Sequence, residues 1–318
     1  MAAGQSVIVV GAGVIGLTTA VVLAEAGFAV RVLAKQMPEN TTSAAAGAMW
    51  GPYLVEPRDR VQAWASYSLR TFAGLAGTPG TGVRLVTGIE ASRSASALPP
   101  DFLAMLDNVG ACGPGELPDG FVTGWRYTVP LIDMDMYLTY LRRRLEAAGG
   151  SLKQQQVTDF GQVARLAPVV VNATGMGARE LAGDDQLIPI RGQLVIVDNP
   201  GITDFFTEDT GLATDLLHLY PHGDSLVLGG VAEDGNWSLE PDENTARAII
   251  GRCAVIDPRV ANLPVRANKV GLRPTRPAIR CERDLSVTGY RLLHIYGHGG
   301  AGVSLSWGCA NEMRNLSS

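Results

Sequence analysis

Three glycines near the N-terminus have the spacing of a dinucleotide-binding turn. Gly11, Gly13 and Gly16 form a Gly-x-Gly-x-x-Gly motif between a β-branched run and a stretch of helical composition. The first glycine permits a tight turn, the second lets a pyrophosphate approach the backbone, and the third allows close helix packing. Amide groups at the helix start, at Val14 and Ile15, supply donors and partial positive charge. The motif therefore predicts a dinucleotide site.

The end of the next strand leaves the identity of the dinucleotide open. About twenty residues after such glycines, many sequences place an acidic residue that binds the ribose hydroxyls. This strand instead ends Leu33-Ala34-Lys35-Gln36, and Glu39 lies too far along the chain. Lys35 could contact the adenosine moiety through its backbone, accommodate a phosphate or be solvated. This loop is compatible with both NAD and FAD.

A rigid basic segment and a glycine run lie near the C-terminus. In Arg273-Pro274-Thr275-Arg276-Pro277, the prolines hold guanidinium groups in fixed directions, which suits bidentate capture of a carboxylate. Residues 297–302 contain four glycines and open onto Val303 and Ser304, a possible second helix start that binds an anion or a ring. These segments predict a carboxylate clamp beside a second ligand-binding turn.

Small residues follow the second predicted strand and could let the backbone approach a flat ring. They belong to residues 41–50, between that strand and Trp50. The candidate contacts in this segment are Thr41, Thr42, Ser43, Gly47, Ala48 and Met49.

The elements that must position these residues begin with a βαβ unit. Ser6–Val10 and residues 28–34 predict two strands, and residues 14–26 predict a helix that Gly27 ends. Because a crossover of this kind is right-handed, the two strands should be parallel. Residues 169–171 predict a further buried strand that runs into a polar turn at Thr174 and Gly175. This part predicts a Rossmann-like domain.

The remaining chain predicts a second, β-rich part. Residues 56–124 break into proline- and glycine-rich pieces without βαβ periodicity. Residues 134–145 predict a helix behind Asp133 as N-cap, whereas residues 194–197 and 225–228 predict antiparallel strands. The predicted fold class is α/β, with a discontinuous nucleotide-binding domain (1–55, 136–187 and 269–318) and a mixed or antiparallel substrate domain (56–135 and 188–268).

Composition excludes several classes of function. In 318 residues, 26 basic and 31 acidic side chains give a net charge of −5, so no global positive field exists to hold nucleic acid or an anionic membrane. Three glycines interrupt the uncharged stretch 1–24, which argues against a signal peptide or a membrane span. Dispersed cysteines and the absence of a C-terminal Ser-Lys-Leu predict a cytoplasmic, bacterial protein.

The histidine pairs and four of the tryptophans are expected to have structural roles and not to bind a metal or a cofactor. His218/His222 and His294/His298 have the i, i+4 spacing of a helical zinc site, but Pro221 and the flanking glycines disfavour a helix. The sequence therefore predicts no metal site. Four tryptophans are expected in the core rather than as cofactor platforms, namely Trp50, Trp125, Trp237 and Trp307.

With these motifs in order, the sequence resembles the D-amino-acid oxidase family of flavoproteins. The resemblance spans nearly the whole chain, from residues 10–17 through Arg191-Gly192-Gln193 and 271–277 to residues 294–308. It implies non-covalent FAD and oxidation of a D-α-amino acid to an imino acid. Oxygen then reoxidises the flavin to hydrogen peroxide, and the imino acid hydrolyses to a 2-oxo acid and ammonia.

The resemblance also implies roles for individual residues. Arg273 matches the arginine that clamps the substrate carboxylate, Gly300 the glycine whose carbonyl accepts from the substrate amine, and Tyr53 a pocket-lining tyrosine. The implied flavin contacts in the second half of the chain are Val157, Thr174, Gly299, Gly300, Ala301, Gly302, Val303 and Ser304.

The chain departs from the family in the predicted pocket. His218 stands where members place a tyrosine three residues before the proline that matches Pro221, and Thr214 replaces a second tyrosine. Because side chains alternate along a strand, His218 and Tyr220 should share one face, so either could offer a polar group to the substrate. Arg276 and Arg280 are expected to be structural.

Three hypotheses of function follow. The predicted partners are a small-molecule D-amino acid and O2, and a homodimer is possible. The first is an FAD oxidase of neutral D-amino acids. The second is D-aspartate or glycine oxidation on the same scaffold, with His218 as an additional cation for an acidic substrate. The third is a non-enzymatic nucleotide-binding redox sensor, which would give Arg273 no evident purpose.

Overall fold

The protein was analysed as a computed structural model, which describes residues 4–208 and 215–317. Thr214, predicted to replace a pocket tyrosine, lies outside the described residues. The described strands are β1 Ser6–Val10, β2 Ala29–Ala34, β3 Val83–Ser92, β4 Val109–Ala111, β5 Thr123–Ile132, β6 Ser151–Gln154, β7 Val169–Asn172, β8 Ile188–Asp198, β9 Phe205–Glu208, β10 His218–His222, β11 Ser225–Gly229, β12 Glu233–Asp234, β13 Val265–Asp284 and β14 Arg291–His298. The described helices are α1 Val14–Glu25, α2 Arg58–Ala76, α3 Met134–Ala147, α4 Phe160–Ala164, α5 Ala178–Leu181, α6 Glu243–Ile256 and α7 Gly302–Ser317.

One half of the sheet is parallel, as the βαβ pattern predicts. Its strands lie in the order β14-β7-β1-β2-β6, and every neighbouring pair is parallel. The strands β1 and β7 are almost wholly buried, as expected for a parallel sheet covered on both faces. Helix α1 ends at Glu25, and Gly27 follows with φ +91°, so the predicted stop is confirmed.

The other half of the sheet is largely antiparallel and continues the first. From β13 it runs β8-β11-β10-β9-β3-β5-β4, with β9 and β3 as its parallel pair. The prediction that residues 194–197 and 225–228 are strands of an antiparallel sheet is confirmed, and the structure pairs them with each other, with Leu194 opposite Gly229 and Val197 opposite Leu226. The predicted combination of a Rossmann-like part and a β-rich part is therefore present within one continuous sheet.

Strand β13 joins the two halves. Its first part pairs antiparallel with β8, and its last part pairs antiparallel with β14. The register shifts between Thr275 and Arg280, where the strand changes partner. Since Arg273 lies just before this shift, the clamp predicted from sequence stands at the junction of the nucleotide and substrate halves.

Helix α2 was not predicted from the sequence. Residues 56–124 were expected to be broken by proline and glycine, yet residues 58–76 form a 19-residue helix that begins after Pro57. Its apolar face carries Trp64 and Phe72 and packs on α7, where Gly308 leaves room for the backbone of Trp64. The predicted helix behind Asp133 is confirmed, because the Asp133 side chain accepts a hydrogen bond from the amide of Met136.

The expectation that all four tryptophans lie in the core is wrong for Trp237. Trp50, Trp125 and Trp307 are buried, but the surface of Trp237 is 53% exposed. The turn after the two-residue strand β12 projects Trp237 outward, and nothing in the sequence pattern signalled it. Neither predicted histidine pair is on a helix, since both lie in strands β10 and β14.

Neither a metal-binding cluster nor a membrane-spanning helix is present in the described ranges. Among residues 4–208 and 215–317, no three or more His, Cys, Asp or Glu side chains cluster in a way that could hold a metal ion. Within the same ranges, no helix combines the length and the apolar character that crossing a membrane requires.

Candidate active site

The first and third glycines of the N-terminal motif are required by backbone packing. Gly11 has φ +114°, and a Cβ atom there would lie 2.3 Å from the carbonyl oxygen of Ala173. A Cβ atom at Gly16 would lie 2.0 Å from the carbonyl oxygen of Gly11. Because neither glycine carries a Cβ atom, α1 can pack tightly against the ends of β1 and β7, where Val14 also lies buried.

The middle glycine borders the segment of small residues. A Cβ atom at Gly13 would lie 3.1 Å from Ser43 Oγ, and that hydroxyl accepts a hydrogen bond of 2.9 Å from the amide of Val14. Thr42 Oγ1 donates to the carbonyl oxygen of Leu272 on β13. The predicted Thr41–Ser43 segment therefore lies between the start of α1 and the strand that carries Arg273.

Other predicted cofactor residues follow the carboxyl ends of neighbouring parallel strands. Lys35 directly follows β2 and is exposed, Val157 lies beyond β6 and is half-buried, and Thr174 follows β7. Gly175 has φ +57° and packs near Pro274. In open α/β sheets, ligands bind at this edge, so the positions of these residues are compatible with contacts to a dinucleotide.

Arg273 reaches across β8 instead of projecting into solvent. A Cβ atom at Gly192 would lie 2.7 Å from both Nη1 and Nη2 of Arg273, so the guanidinium lies directly over this glycine. Nη1 donates to the carbonyl oxygen of Val231 at 3.1 Å. The bare backbone of Gly192 and the carbonyl of Val231 thus fix the direction of the guanidinium.

Gly300 and Tyr53 meet Arg273 at the start of α7. A Cβ atom at Gly300 would lie 2.6 Å from Tyr53 Oη and 3.6 Å from Arg273 Cδ. The turn is fixed because the amide of Gly299, which has φ +52°, donates to the carbonyl oxygen of Pro274 at 2.8 Å. Three residues that lie far apart in the sequence therefore converge on one small space.

The start of α7 packs beside the start of α1. A Cβ atom at Gly302 would lie 3.9 Å from Ile15 Cγ1. The side chains of Ala301 and Val303 are buried, and Ser304 Oγ accepts from the amide of Gly51 at 3.1 Å. Any ligand contact of this stretch would therefore be made mainly by its backbone and by Gly299 and Gly300.

His218 and Tyr220 form a wall near this space, close enough that, beyond the effect of burial, the charge of Arg273 lowers the pKa of His218 and Tyr53 raises that of Tyr220. They lie on the same face of β10, as predicted, and their rings stack with centroids 4.2 Å apart. A Cβ atom at Gly47 would lie 3.2 Å from His218 Nε2, and one at Gly229 would lie 1.9 Å from His218 Cε1. The histidine ring is therefore held between two glycine backbones, and its Nε2 has no hydrogen-bond partner in the described residues.

The wall is electrically neutral. Burial is the main reason that the pKa of His218 is lowered to about 3, and the positive charge of Arg273 adds to the effect. Burial raises the pKa of Tyr220, whose hydroxyl lies 3.5 Å from Thr207 Oγ1. At neutral pH His218 is therefore uncharged, and the guanidinium of Arg273 is the cation of the Arg273–Gly300–Tyr53 space.

Comparisons with known proteins agree with this geometry. The model of the DAO family, described as FAD dependent oxidoreductase, matches residues 6–316. The chain belongs to this family. It is similar to a D-amino-acid oxidase from Streptomyces coelicolor, with 46% identity over 98% of this chain and 96% of that protein. A D-amino-acid oxidase from Rubrobacter xylanophilus is 44% identical over 97% of this chain and 94% of its own length.

A solved structure supports the fold alone. The glycine oxidase from Geobacillus kaustophilus superimposes with a TM-score of 0.82, covering 98% of this chain and 94% of that chain, at 18% identity. The predicted family resemblance is confirmed by the family model and the two relatives. Because the DAO family is FAD-dependent, the choice between NAD and FAD that Lys35 left open is resolved as FAD.

The residues present fit FAD. Gly13 has no side chain to cap α1, and although Ser43 Oγ already accepts from the amide of Val14, which was predicted to face the cofactor, the amide of Ile15 remains available to a pyrophosphate. The indole nitrogen of Trp50 and Nε2 of both His218 and His298 are buried without partners in the described residues, so each can still pair with a bound group that reaches it. The predicted contacts at Ala48 and Met49 lie beside β5, since the carbonyl of Ala48 accepts from the amide of Ile132.

Sequence reasoning missed several residues of this site. Gly192 and Gly229 are needed because side chains at these positions would occupy the space of Arg273 and His218. The carbonyl of Val231 and the hydroxyl of Thr207 complete the surroundings of Arg273 and Tyr220. The motif Arg191-Gly192-Gln193 carried a signal for Gly192, but only cross-strand packing identifies what it accommodates.

Proposed function

We propose that the protein is an FAD-dependent oxidase that converts neutral D-amino acids, O2 and water to 2-oxo acids, ammonia and hydrogen peroxide. The observation that carries this proposal is the convergence of Arg273, Gly300 and Tyr53 around one small space. The printed names of the two relatives, both D-amino-acid oxidases that match almost the whole chain, support the same activity.

The two charged groups of an amino acid find complementary partners in this space. The Arg273 guanidinium, held over Gly192, binds the carboxylate through two parallel hydrogen bonds. The carbonyl oxygen of Gly300 accepts a hydrogen bond from the α-amino group, and Tyr53 Oη closes the pocket beside it. Two fixed groups, together with the side-chain wall of His218 and Tyr220 as a third position, leave one orientation of the Cα–H bond, so the site selects one enantiomer.

Catalysis then depends on orientation. FAD, when bound, would supply the acceptor for the hydride from Cα and the means of passing two electrons to O2, which gives hydrogen peroxide. The chain holds the substrate by its carboxylate and its amine, and buried residues around His218 and Tyr220 exclude water from the side-chain end of the pocket.

The neutral wall favours substrates with uncharged side chains. An acidic side chain would need a second cation, and the low pKa of His218 makes it unable to supply one at neutral pH. Arg252, the guanidinium next to Gly230, is already committed to the carbonyl of Gly230 and to Asp215. The stacked rings of His218 and Tyr220 instead offer an apolar surface with one free nitrogen.

The test is a peroxide assay of the purified holoenzyme over matched D- and L-amino acids. We expect turnover of neutral D-amino acids, with D-aspartate and glycine at least about tenfold lower in kcat/KM. If the enzyme instead prefers D-aspartate or glycine, that result would support the second hypothesis and reject the first. A yellow protein that oxidises no member of the panel would favour a redox sensor.

We further propose how the chain divides into domains, which partners it lacks and where in the cell it functions. The nucleotide domain comprises residues 1–55, 136–187 and 269–318, and the substrate domain comprises residues 56–135 and 188–268, with β13 shared between them. The net charge of −5 supports function without nucleic acid or membrane partners, and the dispersed cysteines support a location in the bacterial cytoplasm. Analytical ultracentrifugation would test for a homodimer.

A further inference from the structure

We infer that Asp184 is a positioning residue that sets the distance between the carboxylate clamp and the amine acceptor. The inference rests on the proposed function, because it assigns Arg273 and Gly300 to the two ends of the substrate. Asp184 lies in the loop between α5 and β8 and does not belong to the motifs found in the sequence.

The backbone ladder is interrupted where these two groups are anchored. Thr275 lies opposite His298, but the next paired residues are Arg280 and Tyr296, so β13 bulges by several residues. Arg273 stands two residues before the shift, and Gly300 stands two residues after the end of β14. The Thr275–His298 pair and the hydrogen bond from the Gly299 amide to the Pro274 carbonyl join the strands beside the site, but the residues between Thr275 and Arg280 have no ladder partner on β14 and need other contacts to hold them.

The carboxylate of Asp184 connects both strands at this bulge. Its Oδ2 atom accepts from Arg276 Nε on β13 at 3.0 Å and from Tyr296 Oη on β14 at 2.8 Å. Its Oδ1 atom accepts from the amide of Gln186 at 3.1 Å. The residue is buried, so one carboxylate with three donors replaces the missing ladder.

Further contacts make the connection rigid. Arg280 Nη1 donates to Tyr296 Oη at 2.9 Å, and Arg276 Nη1 donates to the carbonyl oxygen of Ala278 at 2.9 Å within the bulge. Burial would raise the pKa of Asp184, but the hydrogen bond from Tyr296 and the charge of Arg276 outweigh it, so the pKa is lowered. The carboxylate is therefore ionised at neutral pH and keeps both partners.

The consequence is a geometric role without contact to substrate. If Asp184 is lost, the bulged segment between Thr275 and Arg280 loses its tie to Tyr296 and can shift, which moves Arg273 relative to Gly300. A substrate would still enter, but its carboxylate and amine would no longer be held together. A shift of the substrate by about one ångström lowers the rate of catalysis far more than the loss of Asp184 lowers the stability of the fold.

The experiment compares Asp184→Asn with Asp185→Asn in the holoenzyme. Asp185 is the adjacent residue, but it is exposed and pairs with Arg179 at the surface. We expect Asp184→Asn to lower kcat/KM for D-alanine about tenfold, mainly through KM, with FAD content within twofold of the parent. Asp184→Glu should recover part of this loss because it restores the charge, and Asp185→Asn should change nothing.

A second variant and a binding measurement keep the test independent of folding and of turnover. Tyr296→Phe removes one donor and should lower kcat/KM about threefold. Propanoate, a carboxylate without an amine, is titrated into each holoenzyme by flavin absorbance, and Asp184→Asn should leave its binding within about twofold of the parent because propanoate engages the clamp alone. An unchanged kcat/KM per bound FAD, or a variant that only loses FAD, would overturn the positioning role.

These outcomes separate the two proposals. If the parent enzyme oxidises no D-amino acid, the proposed function fails, whereas propanoate binding still reports on the clamp. If the parent is active and Asp184→Asn leaves turnover unchanged, the function stands and the positioning role fails.

Discussion

The nucleotide turn and the substrate wall are built in opposite ways. At the turn, Gly11 and Gly16 matter through the side chains they lack, because backbone atoms of Ala173 and Gly11 occupy that space. At the wall, His218 and Tyr220 matter through their rings, which stack and face Gly47. Backbone approach binds a cofactor common to a family, whereas side chains distinguish substrates.

The largest effect is expected at Gly16. Gly16→Ala places a methyl group 2.0 Å from the carbonyl oxygen of Gly11, so α1 must move away from the turn. We expect FAD affinity to fall by more than roughly a thousandfold, measured by flavin absorbance per chain after gel filtration.

Gly74→Ala is the matched control for that change. Gly74 lies in α2 with no atom within 4 Å of an added Cβ, so alanine should stabilise the helix by about 0.5 to 1 kcal/mol. Full flavin content in Gly16→Ala would contradict the close packing of backbone at the turn.

Arg273 should give the next largest effect. Arg273→Ala removes both the charge and the alignment of the carboxylate, so kcat/KM should fall about a thousandfold for every D-amino acid, with KM raised and kcat lowered. Arg273→Lys keeps the charge but loses the bidentate geometry, so its kcat/KM should fall less than that of Arg273→Ala.

Arg283→Ala on the same strand serves as its control, since Arg283 is exposed near the far end of β13. It should leave kcat/KM unchanged. An equal kcat/KM for Arg273→Ala and the parent would remove Arg273 from the site.

The buried histidines predict how stability depends on pH. Burial lowers the pKa values of His218 and His298 to about 3, below the value of 6.5 for an unfolded chain. The unfolded state therefore binds protons first, and the free energy of unfolding should decrease as the pH falls from 6.5 toward 3. Each histidine contributes about 1.4 kcal/mol per pH unit in this range.

Denaturant titrations of the holoenzyme at pH 6.5 and 5.5 measure this change directly. His298→Leu, which removes one titrating group, should make the dependence shallower. A free energy of unfolding that does not change between these pH values would show that the buried rings titrate normally.

The smallest effect is expected at the wall. His218→Phe retains a ring that can stack on Tyr220 but removes Nε2, so preference among side chains should shift by about tenfold toward apolar ones. The ratio of kcat/KM for D-leucine to that for D-serine measures this shift. Loss of FAD instead of a changed ratio would mean that β10 contributes to the cofactor site.

The elements that were missed share a physical cause. Helix α2 follows a cis-proline region and is surrounded by glycine-rich loops, yet its apolar face became evident only against α7. Trp237 was expected in the core from its residue type alone, but a tight turn after β12 exposes it. A local sequence pattern predicts a helix or strand, or the tendency of a residue type to be buried. Whether a given side chain is buried depends on the surface that packs against it.

The sequence by itself determined the parallel nucleotide half, the family and the cofactor class. Glycine spacing and β-branched runs act over a few neighbouring residues, so their consequences can be worked out without knowing the rest of the chain. Only the tertiary structure decided that Arg273 lies over Gly192, that His218 is uncharged, and that Asp184 joins two strands at a bulge. Those facts depend on burial and on contacts between residues distant in the chain, which no local pattern contains.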